Sequence, residues 1–597
     1  MANEFVIRKG LAIATGSVSL GTDAKVLILG NDNVVRYRTD LSNAAPAAPT
    51  YSVQLSTGSG LTGFGLVDFS RSSISFNEPG GLVANTGSNN TFIGINSGVL
   101  NTGGINNTFI GASAGYTNTT GSNNTFLGSN AGVSTTADYN IFIGSDSGKN
   151  NTTGCDNTFA GFKSGLSTTT GCKNTMLGSC AGYSNGSSCC NTFIGHDSGY
   201  SNTGNGSNTF IGVSTGRSQT CGAYNTFVGA CSGEKNISGV CNSSLGLFST
   251  WCNTTGSQNT SLGAFALRNN SIGSCNVALG ICALYGATNS IENIAIGWKA
   301  MSGGGSTSSC LNIAIGNNTL GGNTQSCFNI AIGGGALGKG SEGYGNISIG
   351  INSMNNNQTG FYNTAIGDNS LRQNIIGYYN VGLGVSSLTS NVSGCLNVAA
   401  GLDSLYNNTT GCSNTAIGAK SGYNNTTGSC NIFIGAEAGC TNTTGYCNTA
   451  IGYSSFCLNV CGNFNTAIGS TSLRANTCGI NNVAVGSNAL LGNVSGCNNT
   501  AIGTSAQMCN TTGICNVALG HEALFGNGTG GYNVAIGNNS HWQSSNSSYN
   551  VAIGFESLYG TSSGAVATLY NVAVGNSTIR CNGSGCHNTA LGAAAMY

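Results

Sequence analysis

The chain has 597 residues, of which 96 are Gly, 3 are Pro and 26 are Cys, and its 18 basic side chains balance its 18 acidic ones. Charged residues make up 6% of the sequence, against roughly a quarter in ordinary globular proteins. Collagen is excluded because Gly does not recur every third residue, charge-driven disorder because charge and Pro are scarce, and a nucleic-acid binder because no basic excess exists.

Residues 1–89 differ from the rest of the chain and contain all three prolines, Pro46, Pro49 and Pro79. The segments EFVIRKGLAI, KVLILG and NVVRYRTDLS predict short strands joined by turns. The composition of AAPAAPT at 44–50 is typical of a linker. We therefore expect a small β module that caps the following array or attaches it to a larger particle.

The start of the chain lacks the composition of a targeting segment. Glu4 and Arg8 stand where a secretory signal peptide needs an apolar core. The sequence has no apolar run of roughly 18 residues, the length that predicts a membrane span. We expect synthesis and folding in a cytoplasm, where cysteines do not automatically form disulfides.

An internal repeat occupies residues 90–597. Each of its thirty copies opens with Asn-x-x-x-Gly, and the first residues of these copies run from Asn90 to Asn588. The spacing is 17 residues almost throughout, with single spacings of 16, 19 and 21. With positions numbered from the Asn, the consensus is N-T-A/F-I-G-x-x-S/A-G/L-x-x-N-T-T-G-x-x, and NTAIGAKSGYNNTTGSC at 414–430 is a near-ideal copy.

The repeat length predicts the fold. A unit of 17 residues is too short for two packed helices, and Asn, Gly and Thr disfavour helix. The unit fits one coil of a solenoid, with a strand at positions 1–5, a turn, a second strand at positions 7–11 and an N-T-T-G turn. Stacked coils would place equivalent residues about 4.8 Å apart. We predict an all-β fold, a parallel β-solenoid or β-roll of thirty coils.

The two invariant positions have different roles in this prediction. Position 1 would form a ladder whose side-chain amides bond from coil to coil, as stacked Asn does in cross-β structures. Position 5 would adopt a backbone conformation that residues other than Gly avoid. Residues at these two positions include Asn90, Asn107, Asn124, Asn414 and Asn431, and Gly94, Gly111, Gly128, Gly418 and Gly435.

Positions 3 and 9 vary together. In ten copies position 3 is large and position 9 is Gly, whereas from Ser261 on position 3 is usually small and position 9 usually large. Either the two positions share one packed space, or two repeat subtypes were duplicated as blocks. Phe433 with Gly439, isolated in the later zone, favours the shared space. Predicted core residues at position 3 include Phe92, Phe109 and Phe126.

Position 4 is apolar as well, so two neighbouring strand residues are apolar. Because such neighbours point to opposite faces, one set would fill the coil and the other would be buried elsewhere. We expect a homotrimer in which three coils pack around an axis, and a wide single-chain solenoid is the competing structure. Position-4 residues assigned to the core include Ile93, Ile110 and Ile417.

Arrays such as NTAIGAKSGYNNTTGSCNIFIG at 414–435 resemble the NTAIG-type repeats of phage and other viral tail-fibre proteins and of some bacterial surface proteins. The A-I-G-x-x-S element also resembles the trimeric β-roll head of YadA-like adhesins, whose repeat is shorter. The stretch GLAI…VLILGNDNVVRYRTDLS is similar to tail-fibre N-termini. The resemblance implies a trimeric fibre with a distal receptor-binding tip, and such fibres often end in a self-cleaving chaperone domain. Since the array stops mid-repeat at Tyr597, we expect that a domain was removed or that another molecule covers that end.

Fifteen of the 26 cysteines lie in the last two positions before the next Asn. Equivalent residues on adjacent coils would be about 5 Å apart, within disulfide range. Three interpretations stay open: a small turn filler, disulfides formed after release from the cell, and a metal site, which lacks the paired C-x-x-C motifs of zinc proteins. The candidate pairs are Cys155–Cys172, Cys310–Cys327, Cys395–Cys412 and Cys430–Cys447.

Residues suited to catalysis are scattered along the repeat. The four His and the isolated acidic residues do not form the clusters that acid–base or triad chemistry requires. We predict no enzyme activity, no cofactor and no metal. The N-x-S/T sequons, for example those at Asn118 and Asn425, follow from the repeat rather than from glycosylation.

Three functions compete at this point. The first is a virion fibre, attached through residues 1–89 to a baseplate or tail, that presents a tip to a host surface receptor or glycan. The second is an extracellular filament or adhesin, in which residues 1–89 of one molecule cover the last coil of the next. The third is a ligand face whose Thr rows at positions 2, 13 and 14 order water or ice, or bind glycans. The expected location is the virion or the extracellular space, without nucleic-acid partners, and the sequence assigns no receptor-binding residues.

Overall fold

The computed structural model divides into two units, residues 1–282 and 283–597. The described residues are six strands before residue 89 and the ranges 89–303, 308–322, 325–339, 342–542, 546–560, 567–580 and 585–596. These residues contain strands and turns and no helix. In particular, none of them belongs to a helix long and apolar enough to cross a membrane.

Six short strands precede the repeat: β1 (Phe5–Val6), β2 (Val26–Leu29), β3 (Val34–Arg38), β4 (Ser52–Leu55), β5 (Gly65–Asp68) and β6 (Ser73–Phe76). β3 is the central strand of an antiparallel sheet with β1 and β2, and β4, β5 and β6 pair antiparallel in chain order. The first three strands confirm those predicted in EFVIRKGLAI, KVLILG and NVVRYRTDLS. The predicted linker at 44–50 lies outside the described residues, and the attachment module at 1–89 stays a prediction.

In the unit of residues 1–282, one strand of three residues falls in each coil. These strands are β7 (Thr91–Ile93), β8 (Thr108–Ile110), β9 (Thr125–Leu127), β10 (Ile141–Ile143), β11 (Thr158–Ala160), β12 (Thr175–Leu177), β13 (Thr192–Ile194), β14 (Thr209–Ile211), β15 (Thr226–Val228), β16 (Ser243–Leu245), β17 (Thr260–Leu262) and β18 (Val277–Leu279). Pairing of β6 with β7 is parallel, and Ile74 faces Thr91.

The unit of residues 283–597 follows the same plan. Its strands are β19 (Ile294–Ile296), β20 (Ile313–Ile315), β21 (Ile330–Ile332), β22 (Ile347–Ile349), β23 (Thr364–Ile366), β24 (Val381–Leu383), β25 (Val398–Ala400), β26 (Thr415–Ile417), β27 (Ile432–Ile434), β28 (Thr449–Ile451), β29 (Thr466–Ile468), β30 (Val483–Val485), β31 (Thr500–Ile502), β32 (Val517–Leu519), β33 (Val534–Ile536), β34 (Val551–Ile553), β35 (Val572–Val574) and β36 (Thr589–Leu591).

Within each unit, a strand pairs in parallel with the same positions of the next coil, as Phe92 does with Phe109. The coils of irregular length keep this register, because their length differences fall between the strands. The facing position-3 residues in these coils are Phe126–Phe142, Ala295–Ala314 and Ala552–Ala573. The predicted parallel β-solenoid with a repeat of about 17 residues is therefore confirmed, whereas the trimer stays a prediction.

Each coil has one strand and not the two that the repeat predicts. The strand covers positions 2–4, and the second strand predicted at positions 7–11 is wrong, because the described residues there form turns apart from the isolated bridges Tyr559–Arg580 and Ile579–Met596. Positions 7 and 9 have a left-handed backbone, with φ of +59° at Asn96 and at Gly98. An extended strand needs negative φ at each residue, so a left-handed residue at every second position produces consecutive turns.

Position 3 fills the interior of the solenoid. Phe92, Phe109 and Phe126 are confirmed as core residues, with at most 2% of each side chain exposed. Their rings stack with centroids 4.9 and 4.6 Å apart. A Cβ on Gly98 would lie 2.8 Å from the ring of Phe92, so positions 3 and 9 do share one space.

Candidate functional site: the outer face of the sheet

The position-1 asparagines form the predicted ladder. Asn90, Asn107, Asn124, Asn414 and Asn431 are all completely buried. The backbone N–H of Asn107 donates to Oδ1 of Asn90 at 2.8 Å. The same oxygen of Asn414 accepts from the backbone N–H of Asn431 at 3.0 Å and from its Nδ2 at 3.1 Å. The ladder thus couples successive coils through a main-chain donor in addition to the predicted amide pairs.

The position-5 glycines end each strand. Gly94, Gly111, Gly128, Gly418 and Gly435 have φ between +127° and +141°, a region that side chains disfavour. A Cβ on Gly94 would also lie 2.5 Å from the carbonyl oxygen of Gly111 in the next coil. The backbone conformation requires Gly, as predicted, and so does the close approach of adjacent coils, which was not predicted.

A second amide ladder runs through position 12, where the sequence indicates a turn residue. Nδ2 of Asn425 donates to Oδ1 of Asn408 at 2.8 Å and to the carbonyl of Gly428 at 2.9 Å. The recurrence of Asn in the N-T-T-G segment is the signal that could have revealed this ladder. Asn118 and Asn425 are both completely buried, and Asn425 takes part in this ladder, while the structural interpretation of the sequons stays a prediction.

The position-4 side chains point away from the core. Ile93 is 37% exposed and Ile417 is 43% exposed, and Ile110 is half-buried. Assigning Ile93, Ile110 and Ile417 to the core was wrong for the single chain. The physical reason is strand alternation: because position 3 faces inward, positions 2 and 4 on either side must face outward.

We call the side chains at positions 2, 4 and 6 the outer face. Position 6 is exposed too, as at Ile95, Ile351 and Val385. In the coils that begin at Asn346, Asn363 and Asn380, the outer face is apolar except for one Thr and one carboxylate. An exposed apolar surface that continues from coil to coil is typical of an interaction site.

An aromatic patch lies just before these strands. Its residues are Tyr344, Phe361 and Tyr378 at position 16 and Tyr362 and Tyr379 at position 17. The first three rings stack with centroids 5.2 and 5.1 Å apart, and Tyr362 stacks on Tyr379 at 5.4 Å. Ring faces are therefore turned toward one another along each row, while about half of each position-17 side chain is exposed.

The stacking of the rings bears on whether the patch suits a sugar or a protein partner. Stacking within the patch covers both faces of Phe361 and one face of each tyrosine, which reduces the ring area on which a sugar could stack. The tyrosines also carry ring edges and hydroxyl groups. Tyr in such a setting is a common contributor to protein–protein interfaces, where it supplies apolar area and a polar tip.

Charge is nearly absent from the outer face beside the patch. Asp368 is the one charged residue at positions 2, 4 and 6 of the three coils that begin at Asn346, Asn363 and Asn380. Its carboxylate accepts a hydrogen bond from the backbone N–H of Ile351 at 2.8 Å. The carboxylate is thus engaged by the preceding coil, and the surface around it presents apolar side chains.

The cysteine pairs meet as the repeat predicts. Cys310 and Cys327 form a disulfide, while the Sγ atoms lie 3.0 Å apart in Cys155–Cys172 and 2.8 Å apart in Cys395–Cys412. In the fourth candidate pair, burial and the neighbouring Cys430 thiol raise the pKa of Cys447. A further disulfide, Cys461–Cys478, was missed because it lies at position 14.

Among the described residues, no group of three His, Cys, Asp or Glu side chains is placed to hold a metal ion. The chain matches no protein-family model, no curated protein and no solved structure. The class of the protein therefore follows from its coil geometry, which defines a parallel β-solenoid repeat protein.

Proposed function

We propose that the chain is a structural fibre protein whose copies associate side by side, as a homotrimer, through the outer face. The proposal rests on one observation: the core is filled by a single chain, while the outer face of its sheet is apolar and exposed. Phe109 and Ala331 fill the interior of a single chain, so the solenoid needs no partner for its core. The apolar residues of position 4 lie outside this core, and their exposed area suits contact with another copy.

The repeat period favours a second copy as the occupant of the outer face. Side chains of one column recur at the interstrand spacing of about 4.8 Å. Another copy presents the same period, so ridges of Ile and Leu from two chains can interdigitate over many coils. A formal net charge of zero also keeps repulsion between identical chains small.

The resemblance to tail-fibre repeats supports host attachment as the role of the assembly. In this proposal residues 1–89 bind the baseplate or tail of a virion, and the distal part presents a tip to a surface receptor or glycan. The location is the virion, or the extracellular space after cytoplasmic synthesis. The protein is a passive scaffold and not an enzyme.

The mass in solution tests the association. Light scattering of the purified chain should give three times 59.7 kDa, and a monomeric mass at micromolar concentration would exclude the proposal. Ile366→Glu with Leu383→Glu places two charges on exposed position-4 sites and should yield folded monomers. The matched control, Thr359→Glu with Thr410→Glu, places two charges on exposed turn sites and should leave the trimer intact.

A head-to-tail filament or adhesin is the second candidate. The observation that favours it is the constant parallel register of the coils, as between Phe92 and Phe109, because a coil of one molecule could pair with a coil of another in the same way. Electron microscopy of native material separates the two candidates. Fibres that end on particles support the virion fibre, and continuous fibres without particles support the filament.

A further inference from the structure

The two disulfides found among the described residues share one geometry. Both Cys310–Cys327 and Cys461–Cys478 join residues 17 apart on successive coils, with Cα atoms 4.7 and 4.9 Å apart. This is the strand spacing of a parallel sheet, and it lies inside the Cα range of disulfides. Stacking therefore brings any two cysteines at one position of adjacent coils to bonding distance between their Cα atoms.

Two other pairs have the same placement and contact without a bond. Sγ of Cys155 lies 3.0 Å from Sγ of Cys172, and the backbone N–H of Cys155 donates to the latter sulfur at 3.1 Å. Sγ of Cys395 lies 2.8 Å from Sγ of Cys412, again with a backbone N–H donor at 3.1 Å. All four side chains are partly exposed, so a small oxidant can reach them.

We propose that Cys155–Cys172 and Cys395–Cys412 are oxidation sites that close as inter-coil disulfides when the folded chain meets a low-molecular-weight disulfide such as oxidised glutathione. In the first step a thiolate of the pair attacks a glutathione sulfur, and one glutathione thiolate leaves. In the second, the partner cysteine attacks the mixed disulfide and releases the other glutathione. The two protein thiols lose two electrons and two protons, and one oxidised glutathione becomes two reduced molecules.

The environment disfavours the thiolate form of one cysteine in each pair. Contact with Cys172 and burial raise the pKa of Cys155 to about 12, and burial together with Cys395 raises the pKa of Cys412. Since the thiolate is the reacting species, the raised pKa slows attack by Cys155 and Cys412, and in a reducing cytoplasm the pairs stay reduced because the oxidised glutathione they need is scarce there. They close after transfer to an oxidising environment, where the finished stack holds the partners in place.

The first site has a third cysteine in line. The backbone N–H of Cys172 donates to Sγ of Cys189 at 3.1 Å, so Cys172 has a cysteine neighbour on both sides. Of the three thiols in this column, two can form a disulfide and the third remains a free thiol. Removal of Cys155 should therefore redirect Cys172 to Cys189, whereas removal of Cys172 should leave the column open.

Peptide mapping by mass spectrometry tests the inference. The full chain, purified in reductant and confirmed as folded by circular dichroism, is dialysed into oxidised glutathione, alkylated and digested without reduction. Cross-linked peptides that join Cys155 to Cys172 and Cys395 to Cys412 are expected, each with the loss of two hydrogens. Cys155→Ser should produce a Cys172–Cys189 cross-link, and Cys190→Ser, at a position where the two adjacent coils have Lys173 and Ser207, should change nothing.

Two results would overturn the proposal. The first is a folded chain in which these cysteines end as free thiols or stable glutathione adducts after prolonged oxidation. The second is an equal yield of the same pairs from chains oxidised in denaturant, because selective pairing must then come from sequence proximity and not from the stacked coils. The readout concerns one chain and is independent of its oligomeric state.

Discussion

A β-carbon placed on Gly115 would lie 2.5 Å from Cε2 of Phe109. The ring therefore occupies the space that a side chain at position 9 would use. In later coils the sizes are reversed: Ala331 is at position 3 and Leu337 at position 9, and both are buried. Leu337 has φ of +49°, so the left-handed backbone at position 9 accepts Leu in this fold. The two positions form one packing unit.

A double-mutant cycle should show this coupling. Phe109→Ala is expected to lower the free energy of unfolding by about 3–5 kcal/mol because it leaves a cavity. Gly115→Leu alone should also destabilise, since the new side chain meets the ring. The double variant reproduces an Ala/Leu coil, and we expect a favourable coupling energy on the order of 2 kcal/mol. Guanidinium-induced unfolding of the four proteins measures it.

The matched control uses the neighbouring coil. Phe109→Ala combined with Gly132→Leu leaves the cavity in one coil and the clash with Phe126 in the next, where a Cβ would lie 2.7 Å from the ring. This combination should be as harmful as the two single changes together. If both double variants recover the same amount of unfolding free energy, positions 3 and 9 do not share a space within one coil.

The asparagine ladder should be sensitive at any rung. Asn414→Ala removes the acceptor for two hydrogen bonds from Asn431, one of them from the backbone. An unsatisfied buried donor costs about 1–3 kcal/mol, so this substitution should destabilise by several kcal/mol in all. Hydrogen exchange at the amide of Asn431 should accelerate. Thr427→Ala, at an exposed turn site of the same coil, should leave that amide protected.

Residues repeated in every coil made much of this fold predictable. Asn at position 1 and Gly at position 5 recur without exception, so their alignment sets the register and places Asn90 above Asn107. The pairing of Phe92 with Gly98 could be inferred because large and small residues alternate between two positions. Each of these inferences depends on a residue type whose chemistry permits few alternatives.

The features that were missed depend on backbone conformation or on a neighbouring surface. Leu337 adopts φ of +49°, which its residue type disfavours, so the turns at positions 7–11 left no compositional signal. Ile at position 4 is apolar whether it fills the core or lies on the outer face, so its residue type does not distinguish these two environments. Cys461 and Cys478 lie outside the positions where cysteines concentrate, so their bond follows only from the stacking of coils.

Position 5 should tolerate no side chain. A Cβ on Gly418 would lie 2.6 Å from the carbonyl carbon of Gly435, and its φ of +129° disfavours any other residue. Since backbone cannot move aside without separating two coils, Gly418→Ala should cost about 3 kcal/mol or more. Gly103→Ala, where the nearest atom is 3.9 Å away, is the control and should be nearly neutral. Thermal unfolding of the two variants gives the comparison, and similar melting temperatures would contradict this account.

His541, at position 9 of its coil, makes the stability of the folded chain depend on pH. Its side chain is 1% exposed, and burial lowers its pKa from 6.5 to about 3. The unfolded chain therefore binds a proton that the folded chain rejects. Stability is complete above the unfolded pKa and falls as the pH drops toward the folded pKa. Protonation of this one group should lower the free energy of unfolding by about 1.4 kcal/mol for each pH unit between the two pKa values.

Replacement by Leu isolates the contribution of His541. Leu524 and Leu558 occupy position 9 in the adjacent coils and are buried, so His541→Leu fits the column. The variant should lose less stability than the parent chain between about pH 7 and about pH 4, as measured by guanidinium unfolding at each pH. His521→Asn, at an exposed site, should retain the acid sensitivity of the parent. If His541→Leu and the parent respond equally to acid, the imidazole is protonated in the folded chain and its burial does not control the acid response.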